Sequence, residues 1–229
     1  PGVGVKSAAA GKSCGVVEKS GTSMATPAVA GAAALVRQYF QDGFYPGGEA
    51  DAAAALNPSA ALLKATILVG AQDVSGGMRG NFPGRGQGFG RLQLDLALSF
   101  RGEGRKLLVV DESVGLPGGR GKSVLVSHSR RGRPQVALVW TDVPGVAGAK
   151  KALVNDLDLT VYGPNGTQYR GNMVAHGASV ANASQADHVN VEEVVLLPVA
   201  APGSYAIAVR GANVPLGPQT YALAVSYEG

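Results

Sequence analysis

The spacing of hydrophobic positions changes near residue 101. Before it, apolar residues come in helical runs joined by glycine-rich loops. The segment Ser23 to Phe40, SMATPAVAGAAALVRQYF, is small and apolar on nearly every side and has Pro27 near its start. A helix apolar all round predicts burial all round. Asn57-Pro58 reads as an N-cap followed by proline at the first helical position. It predicts a second helix through SAALLKATILV that stops at Gly70. The glycine-rich stretch Gly76 to Gly90 reads as a loop, and a short apolar segment, Leu92 to Leu98, follows it.

After Arg101 the period shortens toward two. Lys106–Val110, Ser123–His128, Gln135–Trp140, Asp156–Tyr162, Val191–Leu197, Tyr205–Arg210 and Tyr221–Tyr227 read as strands. Turn signals separate them at Leu116-Pro117-Gly118-Gly119, Gly163-Pro164-Asn165-Gly166, Pro202-Gly203 and Pro215-Leu216-Gly217-Pro218. Seven short strands with such turns predict an antiparallel β-sandwich. The boundary falls at 101–105, giving units 1–104 and 105–229.

Composition narrows the function classes. Hydrophobic residues make up 45% of the 229, enough for a packed core. The formal charge of +4 divides evenly, +2 over residues 1–104 and +2 over residues 105–229. No basic stripe is interleaved with aromatics, which argues against a nucleic-acid partner. The basic cluster Arg130, Arg131 and Arg133 reads as a solvated loop. Cys14 is the single cysteine, so neither an internal disulfide nor a cysteine-built zinc site is expected. No apolar run reaches the ~18–20 residues of a membrane span. Asn165 and Asn182 head N-glycosylation acceptor patterns.

The chemistry concentrates in Gly21-Thr22-Ser23-Met24-Ala25-Thr26-Pro27. A serine in the first turn of a helix sits near the positive end of the helix dipole. Free backbone N–H groups there can hold a developing oxyanion. Gly21 permits close approach of substrate or backbone. On local physics alone, Ser23 reads equally as a plain N-cap, and Met24 as core filling.

GTSMATPAVAG resembles the nucleophile segment of the subtilisin-like serine proteases, the subtilases. Pro1-Gly2 is similar to the end of a preceding A-P-G segment in that family. Asn57 to Ala71 and Gly88-Phe89-Gly90-Arg91-Leu92 are similar to the helix and turn that follow. The resemblance implies an α/β fold for residues 1–104, as the C-terminal portion of a subtilisin-like domain. It implies that Ser23 attacks a peptide carbonyl, that Gly21 and Thr22 line the substrate site, and that Met24 is open to oxidants. Substrates would be proteins or peptides, no cofactor would be required, and the setting would be extracellular or secretory.

The chain also departs from the family. Subtilases order their triad Asp, His, Ser. None of the 22 residues before Ser23 is histidine, aspartate or the asparagine that completes the oxyanion hole. Residues 1–229 are therefore expected to be inactive by themselves, with the remainder of the catalytic domain preceding Pro1. The order Ser23, Asp156, His188 matches an α/β-hydrolase, but that elbow needs glycine at position 25, which is alanine. His128, His176 and His188 read as surface or loop histidines. The other reading is a catalytically inactive, subtilase-derived scaffold acting through its sandwich.

The second half is similar to the β-sandwich of alkaline, oxidatively stable subtilases, which resembles galactose-binding jelly rolls. The similarity is carried by Leu153 to Leu159, Pro164 to Thr167, Asn190 to Glu192, Gly203 to Tyr205 and Asn213 to Gln219. It implies a jelly-roll-like, all-β sandwich and a structural calcium ion as an option. Asp156 and Asp158, on one strand face, and Asp187, Asn190, Glu192 and Glu193 offer the oxygens. The same side chains read alternatively as ties for loop backbone N–H groups. Tyr45, Phe82, Phe89 and Trp140 could line a binding surface or fill core.

Overall fold

The computed structural model describes residues 2–11, 14–74, 83–84, 86–128 and 131–228. Strands β1 (Val5–Ala8) and β2 (Val16–Lys19) form an antiparallel hairpin. Helix α1 (Thr22–Gln41), helix α2 (Ala60–Leu68) and the short α3 (Leu94–Ala97) follow. The remaining strands are β3 (Arg105–Leu116), β4 (Gly121–His128), β5 (Gln135–Val139), β6 (Asp156–Tyr162), β7 (Gln168–Ala175), β8 (Ala178–Ala181), β9 (Glu192–Leu196), β10 (Gly203–Asn213) and β11 (Gln219–Glu228). They make a five-stranded sheet, β4-β10-β6-β7-β8, and a four-stranded sheet, β3-β11-β5-β9. Every pairing between these strands is antiparallel.

The two cores explain the strand patterns. Val136 and Leu138 of β5, and Leu223 and Val225 of β11, join Trp140, Leu157, Leu159 and Ile207 between the sheets. Ala137 and Val139 of β5, and Ala222 and Ala224 of β11, point the other way, into a core with Val36, Phe40, Leu62 and Val69 of the helical layer. The four-stranded sheet is thus covered on both faces. A strand buried on both faces is expected to be apolar throughout, as Val136 to Val139 of β5 are. Alanines on the helical face let α2 lie close across β3, β5 and β11. The boundary expected at 101–105 therefore falls inside a shared core, although β3 starts at Arg105.

Several expectations need correction. The first ten residues of α1 are largely exposed, and burial begins at Ala32 with Val36, Tyr39 and Phe40. The spacing i, i+4, i+7, i+8 is that of one apolar face. Helix α2 starts two residues later than Asn57-Pro58 predicts and ends before Gly70. Its N-cap is Ser59, whose Oγ accepts from the Leu62 N–H at 3.0 Å. Ser59 is itself fixed by Asp111 of β3, at 2.6 Å from its Oγ and 2.8 Å from its N–H. In the unit expected to be α/β, the described strands are only the antiparallel hairpin. The hairpin, β7 and β8 were not expected as strands. Pro1, Phe82, Arg130 and much of the Gly76–Gly90 loop lie outside the described residues.

Candidate functional site

Ser23 occupies the second position of α1. The N-cap is Gly21, and no side chain caps this helix end. Gly21 has φ +156, a conformation L side chains rarely adopt. Its carbonyl accepts from the Met24 and Ala25 N–H groups at 3.0 and 3.3 Å. The N–H groups of Thr22 and Ser23 have no acceptor among the described residues. They are the free donors that a helix start leaves over. The Ser23 side chain is exposed and makes no hydrogen bond among the described residues, so it is not a cap.

The preceding hairpin braces this turn. Gly2 lies so close to it that a Cβ there would stand 2.1 Å from the Gly21 carbonyl oxygen and 2.7 Å from the Ala25 nitrogen. The Gly21 N–H donates to the Gly2 carbonyl at 2.7 Å, and the Gly4 N–H to Ser20 Oγ at 2.9 Å. The chain from Gly2 to Gly21 therefore leaves the helix start and returns to it. Pro27, inside α1, has no N–H for the Ser23 carbonyl four residues earlier. Met24 is half-buried, with its sulfur about 3.8 Å from where a Gly21 Cβ would be. The three residues singled out as a site, Gly21, Thr22 and Ser23, thus form one exposed turn.

No histidine joins them. His128 is buried at the end of β4 and not a surface histidine: its Nδ1 donates to the Glu228 carbonyl at 3.0 Å and its Nε2 has no partner. His188 Nδ1 meets Asp156 Oδ2 at 2.8 Å. These two residues of the hydrolase order do pair, but on the five-stranded sheet, and neither hydrogen-bonds Ser23. The sequence order gave no sign of that pairing, because it depends on the loop before β9 folding back onto β6.

The acidic residues considered for calcium divide among separate tasks. Ligand atoms of Asp156, Asp158 and His188 lie within 4.8 Å of one another. Lys151 Nζ stands 3.8 Å from Asp156. Burial and then the Asp156 charge push the Asp158 carboxyl up, while His188, Arg170 and Arg210 pull it down. Burial also raises the Asp187 carboxyl, but hydrogen bonds from Asn190, Asn172 and the Val189 N–H outweigh this and hold it low. Glu192 pairs with Lys64 at 3.0 Å. Glu193 is buried, accepts the Leu159 N–H at 2.6 Å, and is pushed up to about 9 by burial and by Asp158, Asp187 and Asp156. Calcium takes six to eight oxygens. Two carboxylates and an imidazole among cationic side chains do not fit that shell, although Asp156 Oδ1 and Asp158 Oδ1 are buried without partners.

Of the aromatics considered for a binding surface, Tyr45, Phe89 and Trp140 are packed. Trp140 is buried, with Nε1 donating to the Asn155 carbonyl at 3.0 Å. Tyr45 stacks edge-on to Phe40, and Phe89 packs on the helical core. Asn165 and Asn182 are exposed. Among the described residues no helix is long and apolar enough to cross a membrane.

Residues 5–101 match the model of the subtilase family, Peptidase_S8. The chain is 28% identical over 225 residues to the serine protease/ABC transporter B family protein tagA of Dictyostelium discoideum, covering 93% of this chain and 12% of that protein. It is 29% identical over 255 residues to the tagD protein of the same organism, covering 90% and 14%. The chain therefore spans about an eighth of these relatives' length. Among solved structures, the serine protease of Aeromonas sobria in complex with its chaperone covers 94% of this chain and 45% of its own, at 14% identity. Its TM-score of 0.30 is too low to carry an argument. The stretch that matches the subtilase family model holds the Ser23 turn, α1 and α2.

Proposed function

We propose that Ser23 is the nucleophile of a serine endopeptidase and that this chain supplies the nucleophile-bearing half of its catalytic domain. The observation that carries this reading is the Gly21–Ser23 turn, where an exposed, uncapped hydroxyl stands beside two free backbone N–H groups. Ser23 Oγ attacks the scissile carbonyl and loses its proton to a general base. The Ser23 N–H donates to the resulting oxyanion. The C–N bond then breaks, the amine leaves with a proton, and water hydrolyses the acyl-enzyme. Gly21 and Thr22 sit against the substrate backbone.

Neither a histidine nor an aspartate stands among the 22 residues before Ser23. In this reading both come from the remainder of the catalytic domain, before Pro1. The exposed apolar start of α1, with Val29 and Leu35 at the surface, supports a covering layer from that remainder. Residues 105–229 form the sandwich unit, jelly-roll-like in kind, and the chemistry needs no cofactor. Substrates are proteins or peptides. The test compares the full-length protein with its Ser23→Ala variant on a casein substrate. Cleavage by the first and none by the second supports the reading; equal cleavage by both, or Ser23-dependent cleavage by residues 1–229 alone, refutes it.

A further inference from the structure

A cavity of about 430 Å³ opens where the helical layer meets the end of the four-stranded sheet. Pockets of that size hold small ligands or single side chains with their backbone. Three guanidinium groups line it: Arg105 at the start of β3, and Arg131 and Arg133 before β5. Arg105 donates to Ser226 Oγ at 2.9 Å. Arg131 and Arg133 are exposed and in no ion pair among the described residues. Two carboxylates share the wall: Asp73, whose Oδ1 accepts from Gln87 at 2.8 Å, and Glu228. Gln135 Oε1, also in the wall, is buried with no donor. Leu96, Leu196, Leu197 and Val199 supply apolar surface.

An occupant that satisfies this lining brings a negative charge for the arginines, a hydrogen-bond donor for Gln135 and an apolar group for the leucines. Guanidinium forks match a carboxylate in two parallel hydrogen bonds. A buried acceptor without a donor costs ~1–3 kcal/mol until one arrives. We propose that the cavity captures the C-terminal residue of a peptide: carboxylate on Arg131 and Arg133, backbone N–H on Gln135, apolar side chain on the leucines. The site is separate from Ser23, and the proposal does not depend on the activity proposed there.

The test uses the full-length protein carrying Ser23→Ala, so that no peptide is consumed. Isothermal titration is run with the tripeptide Ala-Ala-Leu, its C-terminal amide and inorganic phosphate. The free acid is expected to bind and the amide to bind at least tenfold more weakly. Adding Arg131→Ala and Arg133→Ala should weaken the acid at least tenfold and leave the melting temperature unchanged, since both side chains are exposed. Gln135→Leu should weaken it several-fold. Absence of binding, equal binding of acid and amide, or unchanged binding by the double arginine variant overturns the proposal. Phosphate binding as tight as the peptide's also overturns it, because charge alone would then suffice.

Discussion

Helices α1 and α2 are built from the same kinds of residue and end in different surroundings. Helix α2 buries Ala61, Leu62, Ala65, Thr66 and Leu68 against the four-stranded sheet and the end of α1. The first ten residues of α1, small and mostly apolar, stand largely exposed. The contrast separates two roles. The α2 end of the helical layer holds the fold together. The α1 end presents Ser23, and its apolar surface contributes little to the stability of the described structure. An apolar helix states that a face needs covering and leaves open which part of the protein covers it.

Substitutions at the two helices should have opposite effects on activity and stability. In the full-length protein, Ser23→Ala should lower kcat on the order of 10⁶-fold, the loss found for the subtilisin nucleophile. It should leave the melting temperature nearly unchanged, because the hydroxyl is exposed and makes no hydrogen bond among the described residues. A large drop in melting temperature would mean that Ser23 is structural. Leu62→Ala should do the reverse in denaturant titration, costing about 2–5 kcal/mol by opening a cavity in the helical core. A cost near zero would show that α2 does not anchor the layer.

On the sheet side, the buried residue Glu193 ties stability to pH. Its carboxyl titrates near 9 in the fold, against 4.5 ordinarily. The folded state therefore binds the proton more tightly than the unfolded one. The stability this brings is complete below pH 4.5 and is lost as pH rises toward 9. Glu193→Gln should flatten that decline in melting temperature across pH 5–9. An unchanged slope would place the ionised carboxylate in the core at neutral pH. The smallest effect should come from Val29→Ala, within ~0.5 kcal/mol in residues 1–229. A cost of several kcal/mol there would mean that α1 is covered within this chain.

Much of the architecture was legible in the sequence. The strands and their turns stand where the pattern put them: β10 alternates buried with less buried residues, and β5, between two cores, is a short apolar run. The Ser23 turn was legible because an eleven-residue stretch carries it. The exposure of α1 was not, since periodicity reports polarity and says nothing of which neighbours are in place. The start of α2 was misplaced because Ser59 outcompetes Asn57 once Asp111, 52 residues away, holds it. The short hairpin strands have too few residues to show a period. Arg105, Arg131 and Arg133 meet only because β3 and β5 flank β11 in one sheet, a proximity that adjacency in sequence does not reveal.

An activated nucleophile differs from an ordinary helix-end serine in its reactivity toward electrophiles. The most direct measurement treats the full-length protein with a fluorophosphonate and maps the adduct by peptide mass spectrometry. The account predicts one stoichiometric adduct on Ser23, prevented by a peptide substrate and absent after denaturation. No adduct on Ser23 in a protein that cleaves peptides, or an adduct on another serine, would contradict it.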